Sequence, residues 1–86
     1  MKIIDLKYKI IVAKNITSVE IDDNRVIISV PEETRATCHF ASNQQAEKCF
    51  EGIKRFLRGT LLVDMFVITE QPGFAGFSYG GWIEDA

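Results

Sequence analysis

Cysteine is scarce in this chain: Cys38 and Cys49 are the only two, too few for the disulfide scaffold of a small secreted domain. With no secretory signal at the start, both are expected to stay reduced in a cytoplasm. Proline is equally scarce, at Pro31 and Pro72. No repeat, low-complexity run or Gly/Ser/Pro-rich linker interrupts the sequence, so its 86 residues read as a single domain, 1–86. No apolar run reaches the ~18 residues that a membrane span requires. Charge of one sign is lacking too. Ten basic residues against 12 acidic ones leave a net charge of -2, which gives no global attraction to nucleic acid or to an anionic membrane.

What is present is apolar and ordered. The chain is 47% hydrophobic and 26% charged, a balance that excludes disorder by composition. A chain of this mass buries roughly 64% of its unfolded surface. That supports one core between two layers, with little room for an enclosed active site.

The periodicities predict an α+β domain. Between Lys2 and Ala13, Ile4, Leu6, Tyr8, Ile10 and Val12 alternate with Asp5, Lys7 and Lys9, the pattern of a strand with one buried face. Thr17 to Asp22 follows as a second strand, and Asp22-Asp23-Asn24-Arg25 as a hairpin turn. Val26, Ile28 and Val30 then mark a third strand, and Ala36, Cys38 and Phe40 a fourth. The result is an antiparallel four-strand meander.

One helix is expected on one face of that sheet. Ser42-Asn43-Gln44-Gln45 matches a capping box. Ala46, Cys49, Phe50, Ile53, Phe56 and Leu57 share one helical face, and Gly59 stands at the left-handed cap. Leu61 to Thr69 reads as a long strand apolar on both sides: Leu61, Val63, Met65 and Val67 on one, Leu62, Phe66 and Ile68 on the other. Such a strand needs two covers, and the helix supplies one. A C-terminal segment follows that alternates Phe74, Phe77, Tyr79 and Trp82 with Gly76, Gly80 and Gly81.

The candidate chemistry is thin. Cys38 and His39 are neighbours on a strand, so their side chains point to opposite faces and cannot act together. His39, the only histidine, belongs to the outer face, and Asp64 is the one acid inside an apolar run. Neither has a partner identifiable from spacing. Zinc-ligand spacings, the Walker pattern and GxGxxG are missing, so no metal or cofactor is expected. The C-terminal aromatics lack flanking lysine or arginine to hold phosphate, which argues against nucleic acid as a partner. No motif is specific enough to carry a family.

The excess of apolar surface suggests a partner. Ile3, Ile11 and Ile27 fall on outer parities, and monomers rarely expose large contiguous apolar patches. The reading is a non-enzymatic protein-interaction module that forms a homodimer through the last strand and tail. Its contact is expected at Phe66, Ile68, Phe74, Phe77, Tyr79 and Trp82, with Asp64 and His39 as polar contacts. The alternative is a binder of a small molecule, or a small enzyme, with a pocket between helix, sheet and Trp82. A tail folded back over its own sheet is the other way to cover the apolar excess.

Overall fold

Lys7 takes a left-handed backbone, with φ 79, and breaks the first alternating stretch into two strands. The computed structural model, which describes residues 1–31 and 34–81, places β1 at Ile3–Asp5 and β2 at Ile10–Val12. They pair antiparallel, Ile3 with Val12, Ile4 with Ile11 and Asp5 with Ile10. Asp5 makes the turn possible. Its Oδ1 accepts the Lys7 N–H at 2.9 Å, the local bond by which an aspartate stabilises a turn two residues on. The Leu6 N–H donates to the Lys9 carbonyl at 2.8 Å and closes the hairpin.

This turn reverses the parity of β2. Ile4 and Leu6 are buried as the alternation predicts, but the buried residue of β2 is Ile11, while Ile10 is 60% exposed and Tyr8 77% exposed. Ile11 therefore belongs to the core and not to the outer face.

Two sheets form. β1 is the centre of a small sheet ordered β2-β1-β6, in which β6 (Met65–Val67) runs parallel to it. The Ile3 N–H donates to the Asp64 carbonyl at 2.9 Å, and the Ile68 N–H to the Asp5 carbonyl at 3.1 Å. The larger sheet is antiparallel, with order β3-β4-β5-β7, from β3 (Ser18–Asp22), β4 (Arg25–Ser29), β5 (Thr34–Phe40) and β7 (Phe74–Gly81). Four antiparallel strands with one helix are thus present among the described residues, but the strands that make up the sheet differ from those expected. The first strand leaves to build the small sheet, and the C-terminal segment takes its place beside β5. At the β3–β4 turn Asp23 is left-handed, with φ 54. Asn24 there bonds the end of β5, donating from Nδ2 to the Phe40 carbonyl and accepting the Phe40 N–H, both at 2.9 Å.

The helix α1 spans Asn43–Arg58 as its signals predict. Ser42 caps it, with Oγ accepting the Gln45 N–H at 3.3 Å, and Gly59 ends it at φ 81. Lys2 reaches over from the small sheet, donating from Nζ to the Phe56 carbonyl at 3.1 Å, where a cation meets the negative end of the helix dipole. Ala46, Cys49, Ile53 and Phe56 are fully buried against β3, β4 and β5. Phe50 is half-buried, and Leu57, expected on the buried face, is 39% exposed at its edge.

The stretch from Leu61 to Thr69 departs most from its reading. Only Met65–Val67 is strand. Leu61 to Asp64 turns the chain out of the helix, leaving Leu62 93% exposed. The two faces are also exchanged. Phe66 and Ile68, expected to meet a partner, are buried in the chain's own core, whereas Met65 is 48% exposed. The cause lies in the helix, where Gly52 leaves a niche that the Phe66 ring occupies. A Cβ at Gly52 would stand 2.9 Å from Phe66 Cζ.

Candidate functional site

The expected contact residues separate into different environments. Phe66 packs on Phe56 with ring centroids 5.7 Å apart, and Ile68 is fully buried, so neither is available to a partner. Phe74 and Phe77 are half-buried and extend a run of rings. Phe40 meets Phe74 edge-on at 5.7 Å, Phe74 meets Phe77 at 5.9 Å, and Phe77 meets Tyr8 at 6.2 Å. These contacts tie β7 to the core and to the small sheet's turn. The aromatic segment through Gly81 is therefore a strand of its own sheet. The backbone of Tyr79 pairs with Ala36, and Trp82 lies outside the described residues.

Asp64 is exposed, and its carbonyl serves the β1–β6 ladder. His39 stands on the outer face of the larger sheet, with Nε2 3.2 Å from Ser78 Oγ. A serine and an imidazole at that distance resemble a nucleophile and its base. Their setting does not support the chemistry, because the pair lies on an open sheet face. Arg25, the cross-strand neighbour of His39, is engaged by Asp22 in an ion pair.

The thiols are inert by burial. Cys38 faces the core, away from His39, and loss of solvent pushes its pKa up to about 12. Cys49 is pushed up to about 12 as well, first by burial and then by the nearby Cys38. A thiol in that state is protonated at neutral pH, and the thiol form is a poor nucleophile. Among the described residues no group of three or more His, Cys, Asp or Glu gathers to hold a metal. No helix among them is long and apolar enough to cross a membrane.

Clefts lined by described residues are open. One of about 400 Å³ lies between Met1, Lys2, Val12, Ala13, Lys14 and Leu57. Another, of about 330 Å³, follows β2 past Val30 and Pro31.

The two outer sheet faces differ sharply. That of the larger sheet is polar. Its cross-strand rows are Ser18, Ser29 and Arg35; then Glu20, Ile27, Thr37 and Ser78; then Asp22, Arg25 and His39. Ile27, expected to belong to an apolar patch, is isolated among polar neighbours. The small sheet carries the opposite pattern, with one row of Val12, Ile3 and Met65 and a second of Ile10, Asp5 and Val67. Directly paired residues share a face, so five apolar side chains stand together. The sixth, Asp5, is tied into the turn by its bond to Lys7. Exposed Tyr8, Leu62 and Val63 occur in the segments that flank these strands. Comparison with protein families, with characterised proteins and with solved structures yields no match.

Of this face the sequence reading identified Ile3 alone. Ile10 and Val12 were hidden by a turn with no glycine. Met65 and Val67 were hidden by a strand apolar at both parities, for which Gly52 beneath Phe66 is the one signal that sets the phase.

Proposed function

We propose that this chain is a non-enzymatic interaction module that pairs with a second copy of itself through the outer face of β2-β1-β6. The observation that carries the reading is the register of Val12, Ile3 and Met65 beside Ile10 and Val67, an apolar face on short strands. Apolar surface in water is a recurring mark of an interaction site, and twofold homodimers are the commonest assembly. Relative to the sequence reading, the contact keeps the last apolar strand but uses its other side. A reducing, cytoplasmic setting suits the module, since its buried thiols are free.

Size sets the expected strength. A stable interface takes roughly 800 Å² and 20–30 residues from each partner. Six sheet side chains with Tyr8, Leu62 and Val63 as a rim fall short of that. The association belongs at the weak end, with dissociation in the micromolar range. The small-ligand alternative draws less support, because the described clefts are open and no buried side-chain polar atom among the described residues lacks a partner. Sedimentation equilibrium from one to several hundred micromolar tests the proposal. A mass rising from 9.7 kDa toward twice that value supports it, and a constant 9.7 kDa refutes it.

A further inference from the structure

The apolar face is bordered by charges of opposite sign on its two flanks. On the β2 side, the turn, the strand and the 3-10 turn after it carry Lys7, Lys9 and Lys14 and no acid. On the β6 side, the segment from Thr60 to Gln71 carries Asp64 and Glu70 and no base. Lys7, Lys14, Asp64 and Glu70 are all exposed. Lys14, Asp64 and Glu70 make no ion pair among the described residues.

The hydrogen bonds fix which charges share an end of the face. Ala13 donates its N–H to the Lys2 carbonyl, and Ile3 donates to the Asp64 carbonyl, each at 2.9 Å. Lys14 and Asp64 thus mark the same end on opposite flanks. At the other end, Leu6 bonds Lys9 and Ile68 bonds Asp5, which places Lys7 and Glu70 there, again on opposite flanks.

We infer that two copies pack face to face about a twofold axis parallel to β1, with β2 of each over β6 of the other. This rests on the self-pairing proposed above and adds its geometry. Two sheets stacked face to face pack about 10 Å apart with their strands within about 30° of each other, which leaves two in-plane twofold axes to consider. An axis parallel to the strands exchanges the flanks and preserves the ends, so Lys14 meets Asp64 of the second copy and Lys7 meets its Glu70. An axis across the strands preserves the flanks and exchanges the ends, bringing Lys7 to Lys14 and Asp64 to Glu70. On the flanks the first is complementary at both ends and the second repulsive at both. In the first, Asp5, bonded to the Lys7 N–H in its own turn, faces Asp5 of the second copy across the axis, one like-charge contact against four opposite-charge ones. Like charges facing each other select against a wrong arrangement.

A charge exchange tests the geometry. Each substitution acts twice in a twofold dimer, so Lys14→Asp and Asp64→Lys should each weaken self-association by about tenfold at low salt. The double variant Lys14→Asp/Asp64→Lys should return within about threefold of wild type. These positions are exposed, and an unchanged melting temperature verifies each fold; Lys7→Glu with Glu70→Lys provides an independent second pair. A wild-type dimer indifferent to the single changes, or a double variant that stays weak, overturns this packing but leaves the self-pairing standing. A monomeric wild type overturns both.

Discussion

Phe66 sits 5.7 Å from Phe56, ring centroid to centroid, over the bare Cα of Gly52. That contact decides which side of β6 is inside, and therefore which apolar residues the small sheet presents to water. With Phe66 turned to the helix, Met65 and Val67 must face outward beside Ile3.

Gly52→Ala sets two effects against each other. Alanine gains about 1 kcal/mol of helix propensity over glycine. The new Cβ would meet Phe66 Cζ at 2.9 Å and Cε2 at 3.0 Å, and overpacking a filled core costs about 1–3 kcal/mol. The ring is buried and cannot swing into solvent, so a net loss of about 1 kcal/mol is expected in urea denaturation. In a Phe66→Leu background the same change should be neutral or stabilising. A stabilising Gly52→Ala in the wild-type chain would show that Phe66 does not sit in that niche.

The hairpin turn gives a second expectation. A side chain at positive φ costs about 1–2 kcal/mol, and Lys7 has φ 79, so Lys7→Gly should stabilise by about 0.5–1 kcal/mol. Asp5→Ala removes the acceptor for the Lys7 N–H and should cost about 1 kcal/mol. Asp5→Asn keeps an acceptor and should cost less. Chemical denaturation of the three variants orders them. Equal stabilities would show that the turn is not held this way.

Much of the fold was legible where the signals are local. The Ser42 cap, the face of Ala46, Cys49 and Ile53, and Gly59 define α1 from the sequence alone. So do the strands either side of Asp23. Two features were not legible, for physical reasons. A turn built on Asp5 and a left-handed Lys7 has no glycine or asparagine to announce it, so ten residues of alternation looked like one strand. The phase of residues 61–69 depends on a helix niche remote in sequence, because apolar residues stand at both parities. The apolar outer face follows from these two features together, which is why the site was expected on Phe66 and Ile68.

The cysteines predict a pH dependence with a definite sign. Their pKa is raised from 9.0 to about 12 in the fold, so the native state holds protons that the unfolded state releases. The stability is fully present below pH 9.0 and is lost as pH rises from there toward about 12. Each thiol steepens the decline by at most the slope of one proton released on unfolding, on the order of 1 kcal/mol per pH unit. Denaturation in urea at pH 8, 9.5 and 10.5 measures it, and Cys38→Ala should make the decline shallower. Native Cys38 and Cys49 should also resist a thiol reagent at pH 8 and react at once in denaturant. Fast native labelling would contradict their burial.

Self-association through the outer face of the small sheet is tested most directly by the solution mass of Met65→Glu beside wild type. Met65 is 48% exposed and its neighbour Phe66 7%, so the substitution puts a charge on the apolar face without entering the core. The wild-type chain should approach twice 9.7 kDa at high micromolar concentration. Met65→Glu should remain at 9.7 kDa across the same range with its melting temperature within a few degrees of wild type. A wild-type chain that stays monomeric, or a Met65→Glu variant that dimerises as tightly as wild type, would contradict the account.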